Sequence, residues 1–233
     1  MVSSISPRLD FFILGRTLCL VCVITEFFSF LSETLKNGCM VLEFMDKKSA
    51  QNRKKPAVFL DRDGVINKAT DHIKHISEFE IYPEAFKALK LLKDDFHLIV
   101  VTNQSGLSTG LIKQEHYDEI KKFLIESMDA EGITLKAIYE CPHHDDNHFC
   151  RKPNTGMIEQ AVEEHDIDLS RSFMIGDSTR DINMANRLGI PAILVKTGLA
   201  GNDKEFPMQP DYVAENILHA AEIVNRLKNK DRT

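Results

Sequence analysis

Phe59-Leu60-Asp61-Arg62-Asp63-Gly64-Val65-Ile66-Asn67 is the stretch that decides how this chain reads. The apolar run Ala57 to Leu60 leading into it has the length and composition of a short buried strand. Two aspartates then follow two positions apart, where alternation along an extended backbone can point both side chains the same way. Gly64 lets the chain turn sharply, because it has no Cβ to clash. Two carboxylates crowded at a strand end repel each other unless a cation or a shared proton intervenes. The pair therefore suits a magnesium site with one carboxylate as nucleophile and the other as acid/base, the latter with a raised pKa. D-x-D-G also occurs in ordinary acidic turns and in calcium loops, but the glutamate that closes an EF-hand loop is absent.

Downstream, strand and helix patterns alternate. Strands are expected at Leu98–Thr102, Ala137–Tyr139, Phe173–Ile175 and Ala192–Val195, with a short edge strand at Tyr212–Val213. Helices are expected at Pro83–Leu92, Gln114–Ala130, Thr155–Glu164, Asp181–Leu188 and Ala214–Lys228. In the second of these, Ile120, Phe123, Leu124 and Met128 form one apolar side. The alternation predicts an α/β fold, a Rossmann-like, mostly parallel sheet flanked by helices. Ligands in such sheets bind outside the carboxyl ends of the strands. Asp61, Thr102, Cys141 and Asp177 all fall at or just after predicted strand ends, so they converge on one edge.

Three further strand-end segments carry chemistry. In Val101-Thr102-Asn103-Gln104-Ser105-Gly106, a hydroxyl and the following backbone N–H groups form a neutral cradle for phosphate oxygens. In Cys150-Arg151-Lys152-Pro153, Lys152 offers a compact cation and Arg151 a fork for a second pair of anionic oxygens. In Gly176-Asp177-Ser178-Thr179-Arg180-Asp181, Asp177 is a candidate magnesium ligand. Asp181 either supports it through water or caps the following helix. Singly, each segment also reads as a common polar turn or a solvated charge pair.

Taken in order, the four segments resemble the haloacid dehalogenase-like phosphatase superfamily over roughly residues 55–198. The short separation between the first two leaves no room there for a large cap domain. FLDRDGVIN, VVTNQSG, the CPHH segment and CRKPNTGM are most similar to the heptose-bisphosphate and histidinol phosphatases. The resemblance implies Asp61 as nucleophile and Asp63 as acid/base, with Thr102 and Lys152 in the catalytic set. It implies magnesium held by Asp61, by Asp63 through its carbonyl, and by Asp177. It implies substrate contacts from Thr102, Asn103, Gln104, Ser105, Arg151 and Lys152. The expected reaction is magnesium-dependent hydrolysis of a small phosphorylated sugar through an aspartyl-phosphate, with heptose bisphosphate as first choice. Histidinol phosphate and a polynucleotide 3′-phosphate are the alternatives, and an inactive zinc-bearing interaction module is the alternative of another class. Ser178 stands where the heptose phosphatases tend to carry lysine, which touches substrate contacts rather than phosphoryl chemistry.

Cys141-Pro142-His143-His144-Asp145-Asp146-Asn147-His148-Phe149-Cys150 concentrates soft ligands in one short segment. Cys141, His143, His148 and Cys150 make a candidate Cys2His2 zinc site at 141–150, closed and therefore structural. The related family has a cysteine where His148 stands. His72 and His75 follow the first segment and are expected at the surface.

The formal charge of −6 among 233 residues argues against a general nucleic-acid surface. Five cysteines without a framework spacing favour a reducing, cytoplasmic compartment. Residues 1–52 read as an extension, apolar and then polar, ahead of a phosphatase domain at 53–233. Arg16 and Glu26 interrupt its apolar stretch and weaken a membrane span. An upstream over-read with Met45 as the natural start is the leading reading, and an anchor is the rival. No membrane role is expected for the catalytic part, and a monomer is expected.

Overall fold

The computed structural model describes residues 54–70 and 72–230, so the readings on the extension lie outside the described residues. Six strands form one parallel sheet: β1 (Ala57–Leu60), β2 (His97–Asn103), β3 (Ala137–Cys141), β4 (Phe173–Gly176), β5 (Ala192–Val195) and β6 (Tyr212–Ala214). Their order is β3-β2-β1-β4-β5-β6. The α-helices are α1 (Pro83–Leu92), α2 (Gln114–Ala130), α3 (Gly156–Glu164), α4 (Thr179–Leu188) and α5 (Ile217–Lys230). None of the described helices is long and apolar enough to cross a membrane.

Strands β1, β4 and β5 are apolar and buried throughout because helices cover both faces. Val58, Leu60, Leu98, Val100, Ile175 and Ile193 pack with α1, α2 and α5. Phe59, Ile99, Val101, Met174 and Leu194 pack with α3 and α4. Each fully buried side chain of this size contributes roughly 1.5–3 kcal/mol.

One sequence expectation about a helix face changes. Phe123 is not on the buried side of α2; Tyr117, Ile120, Leu124 and Met128 are, while Phe123 stays largely exposed with its ring edge-on to Phe79. In α1 the buried set is Ala85, Ala88, Leu89 and Leu92, and Leu91 faces solvent.

The topology positions the site. Chain order runs outward from β1 through β2 to β3, then reverses at β4. β1 and β4 pair in register, with Val58 opposite Phe173 and Leu60 opposite Ile175. The reversal opens a crevice at their carboxyl ends, the position where such sheets bind ligands. Asp61 follows β1 and Asp177 follows β4.

Candidate active site

Asp61 continues the sheet by one rung, its N–H donating to Ile175 O at 3.0 Å. That rung fixes its side chain in the crevice. Lys152 arrives from the segment before α3, and its ammonium lies 2.9 Å from Asp61 Oδ1 and 2.7 Å from Asp181 Oδ1. It also donates to Val101 O at 3.1 Å. Carboxylate oxygens of Asp61, Asp177 and Asp181 lie within 4.8 Å of one another, and all three residues are buried. Three carboxylates against one ammonium leave two negative charges uncompensated.

The electrostatics follow from that balance. Burial, then the Asp181 charge, pushes Asp61 up to about 7 despite Lys152. Burial, then the Asp61 charge, pushes Asp177 up to about 8, although the Leu199 N–H donates to its Oδ2 at 2.7 Å. Burial works against the Lys152 cation, but Asp181 and Asp61 outweigh it and raise its pKa. Oxygen-only donors with excess negative charge suit a hard divalent cation such as magnesium. The backbone closes on the same point. Gly64 and Gly198 have φ of +81° and +63°, and a Cβ on either would fall on the Asp177 carboxylate.

The first expectation changes in its partners: Asp61 clusters with Asp177 and Asp181, while Asp63 still adds to the charge that raises Asp61. Asp63 lies in the turn, where alternation along a strand no longer applies. Its carboxylate accepts from the Arg62 guanidinium (2.7 Å), Asn67 Nδ2 (2.8 Å) and Gln104 Nε2 (2.9 Å). Burial acts to raise its pKa, but Arg62, Asn67 and Gln104 together lower it, so the expected upward shift is also corrected.

A cleft of about 310 Å³ opens over this cluster. Asp61, Asp63, Lys152 and Asp177 line it, as do Thr102, Asn103, Ser105 and Arg151. The Thr102 hydroxyl accepts from Gln104 at 3.0 Å and so keeps its own proton for donation. Asn103 brackets the Lys152 backbone, accepting from its N–H at 3.1 Å and donating to its carbonyl at 3.3 Å. Gln104 does not line the cleft and instead braces Asp63 and Thr102. Arg151 lines the cleft while its guanidinium is held by Asp146 at 2.7 Å and donates to His143 O at 3.0 Å.

Sequence reasoning left Arg180 without a role. It lines the cleft, pairs with Asp146 at 2.8 Å and with Glu205, and donates to Lys152 O at 2.9 Å. Its place in the first turn after Asp177 could have marked it. Leu199, Asp203 and Glu205 also line the cleft from the segment between β5 and β6, where no motif announces them. Asp181 is likewise resolved: Ser178 is the cap of α4, and Asp181 is the third residue, its Oδ2 accepting from Ser178 N–H at 3.1 Å.

In the Cys/His segment, Cys141 and Cys150 meet as a disulfide with Cα atoms 5.6 Å apart. Cys141 ends β3 and Cys150 follows a tight loop, so both sulfurs meet inside the fold. Ligand atoms of Cys141, His148 and Cys150 cluster within 4.8 Å. His143 is outside that cluster, its ring stacked on that of His148 at 3.5 Å. His75 is exposed and lies against the His116 ring.

Comparison with known proteins then adds the decisive similarity. The chain is 36% identical over 184 residues to the D-glycero-alpha-D-manno-heptose-1,7-bisphosphate 7-phosphatase of Photorhabdus laumondii, covering 75% of this chain and 99% of that protein. The chain belongs to the heptose-bisphosphate phosphatase family of HAD-like hydrolases. It is a phosphoric monoester hydrolase. A second family member, the D-glycero-beta-D-manno-heptose-1,7-bisphosphate 7-phosphatase of Haemophilus ducreyi, is 35% identical over 73% of this chain and 99% of its own length. The HAD-hydrolase-like family model matches residues 149–220. The crystal structure of a D,D-heptose 1,7-bisphosphate phosphatase from B. bronchiseptica, complexed with magnesium and phosphate, superposes with a TM-score of 0.66 at 32% identity, covering 75% of this chain and 99% of that one.

Proposed function

We propose that this phosphatase removes the 7-phosphate of D-glycero-D-manno-heptose 1,7-bisphosphate through a phosphoryl group carried on Asp61. The observation that carries the reading is the Lys152 ammonium set between Asp61 and Asp181 beside the Asp177 carboxylate. Lys152 directs Asp61 Oδ1 into the cleft and offsets charge on the equatorial phosphoryl oxygens. Asp61 attacks phosphorus in line and is phosphorylated to an aspartyl-phosphate as the ester P–O bond breaks and the sugar oxygen leaves. Thr102 and Asn103 donate to the transferring group from the opposite wall.

Asp61, Asp177 and the Asp63 carbonyl are the ligands proposed for magnesium, with Asp181 retained by Lys152 and Ser178. Bound there, the ion neutralises the repulsion between the Asp61 carboxylate and the phosphate dianion. Asp63 rests as a carboxylate, the form that accepts a proton from the hydrolytic water. A phosphate dianion beside it opposes the influence of Arg62, which brings the acid form within reach for the leaving oxygen.

For the 141–150 segment we propose structural zinc when the cysteine pair is reduced. Cys141, His148 and Cys150 supply three converging soft donors, with His143 stacked beside them. The ion fixes the loop that leads into Arg151 and Lys152.

Both anomers of the heptose bisphosphate, histidinol phosphate and a 3′-phosphorylated oligonucleotide form the deciding panel, assayed with magnesium. Release of the 7-phosphate with the 1-phosphate retained, read by phosphorus NMR, is the expected outcome. A higher kcat/KM for histidinol phosphate or the oligonucleotide would overturn the substrate assignment and leave the phosphoryl chemistry intact.

A further inference from the structure

Arg62 takes no part in the steps above, yet it is only 3% exposed. A buried guanidinium is costly unless it is paired and its donors are used. Its guanidinium carbon lies over two aromatic rings, 5.7 Å from the centroids of both Phe79 and Tyr117, and it also hydrogen-bonds the Tyr117 side chain. Those rings come from separate parts of the fold, Tyr117 from α2 and Phe79 from the segment after a 3-10 turn at Ile76–Glu78. Stacking on aromatic faces fixes the plane of the guanidinium and adds cation–π attraction.

The edge of that plane meets Asp63. Arg62 Nε donates to Asp63 Oδ1 at 3.2 Å, and its terminal nitrogen reaches both oxygens at 2.9 and 2.7 Å. Asn67 completes the grip on Oδ1 and Gln104 that on Oδ2. Both carboxylate oxygens are thus engaged from one side. The Asp63 side chain nevertheless remains 28% exposed and lines the cleft. A short side chain in a turn has two torsions to fix, and the guanidinium, which alone reaches both oxygens, fixes them together with Asn67 and Gln104.

We propose that Arg62 is the positioning residue for proton transfer: held against Phe79 and Tyr117, it sets the direction in which Asp63 presents its carboxyl group to the reacting atoms. The inference rests on Asp63 being the acid/base. In the first half-reaction, the electrons of the ester P–O bond go to the leaving oxygen, which takes the Asp63 proton. In the second, water gives a proton to the Asp63 carboxylate as its oxygen bonds to phosphorus, and the Asp61 O–P bond breaks to return the Asp61 carboxylate. Misdirection of Asp63 harms the first step in proportion to how badly the leaving oxygen needs that proton.

Single-turnover phosphorylation of the full chain with magnesium separates this role from a merely structural one. The two substrates are a sugar phosphate, with an alkoxide leaving group, and p-nitrophenyl phosphate, which needs no proton. Asp63→Asn is the reference and is expected to slow the sugar phosphate far more than the aryl ester. Arg62→Ala should reproduce that split, with a loss of about 10²-fold on the sugar phosphate and less than about tenfold on the aryl ester. Added guanidinium ion should restore part of the sugar-phosphate rate. Arg62→Lys, which keeps the charge without the fork, carries the same comparison if the alanine variant does not fold. Equal losses on both substrates, or no loss on either, overturn the inference while the Asp63→Asn split leaves the acid assignment standing. If Asp63→Asn itself slows both substrates equally, the acid assignment fails and takes the inference with it.

Discussion

Lys152 stands 2.9 Å from Asp61 and 2.7 Å from Asp181, a single cation amid three buried carboxylates. Removing it leaves the phosphoryl charge without its fixed donor. Lys152→Met is expected to lower kcat by about 10²–10³-fold, with the far-ultraviolet circular dichroism unchanged. Asp61→Asn should abolish turnover in the same folded state, because an amide is no nucleophile; residual steady-state hydrolysis above the uncatalysed rate would contradict it. The same carboxylates make a pH signature. In chelator-stripped protein, burial and mutual repulsion hold the Asp61 and Asp177 carboxyls well above the 3.8 of a free aspartate. Above that free value the folded chain binds more protons than the unfolded one, so its stability falls as pH rises from about 4 through the neutral range. Magnesium favours the charged forms and reverses that loss. The rise in Tm on adding magnesium is therefore expected to be larger at about pH 8 than at about pH 5; equal increments at both would refute the charge balance. The residue types at this centre were legible because D-x-D-G and G-D-x-x-x-D each sit at a strand end and C-R-K-P just ahead of a helix. The grip of Arg62, Asn67 and Gln104 on Asp63 was not, since it joins positions up to forty-one apart.

Helix α4 shows how an element and the site share one device. Ser178 caps the helix, and its hydroxyl bonds Asp181 Oδ2 at 2.5 Å, leaving Oδ1 for Lys152. Ser178→Ala should cost about 1 kcal/mol in urea denaturation and also lower kcat, because Asp181 loses a constraint on the rotamer that orients Lys152. Loss of stability with unchanged kcat would separate the cap from the site. The turn after β1 makes a parallel case. Gly64→Ala strains a residue with φ of +81° and drives a methyl group into Asp177. The strain alone costs about 1–2 kcal/mol, and magnesium affinity should fall with it, measured by titration calorimetry. Periodicity gave β1, α1, α2 and β5 their observed bounds. It placed the start of α5 at Ala214, where the structure instead pairs Ala214 with Val195. Strand pairing is a contact with a distant segment, so no local pattern could shift that boundary.

Across the whole described domain, the apolar runs, their alternation with amphipathic helices and the order of four motif segments were enough to determine a parallel α/β sheet with its chemistry on one edge. Those are local or periodic properties, and burial enforces them wherever the chain folds. What the tertiary structure alone decided is which of the edge residues meet. Reversal of strand order between β1 and β4 brings Asp61 to Asp177, and the return of the chain before α3 drops Lys152 between Asp61 and Asp181. The β5–β6 segment supplies Leu199, Asp203 and Glu205 to the cleft with no sequence signature. The same closure sets Cys141 against Cys150 beside His148 and stacks His143 on His148. Side-chain direction at a turn depends on neighbours contributed from across the fold, and those neighbours exist only once the sheet has assembled.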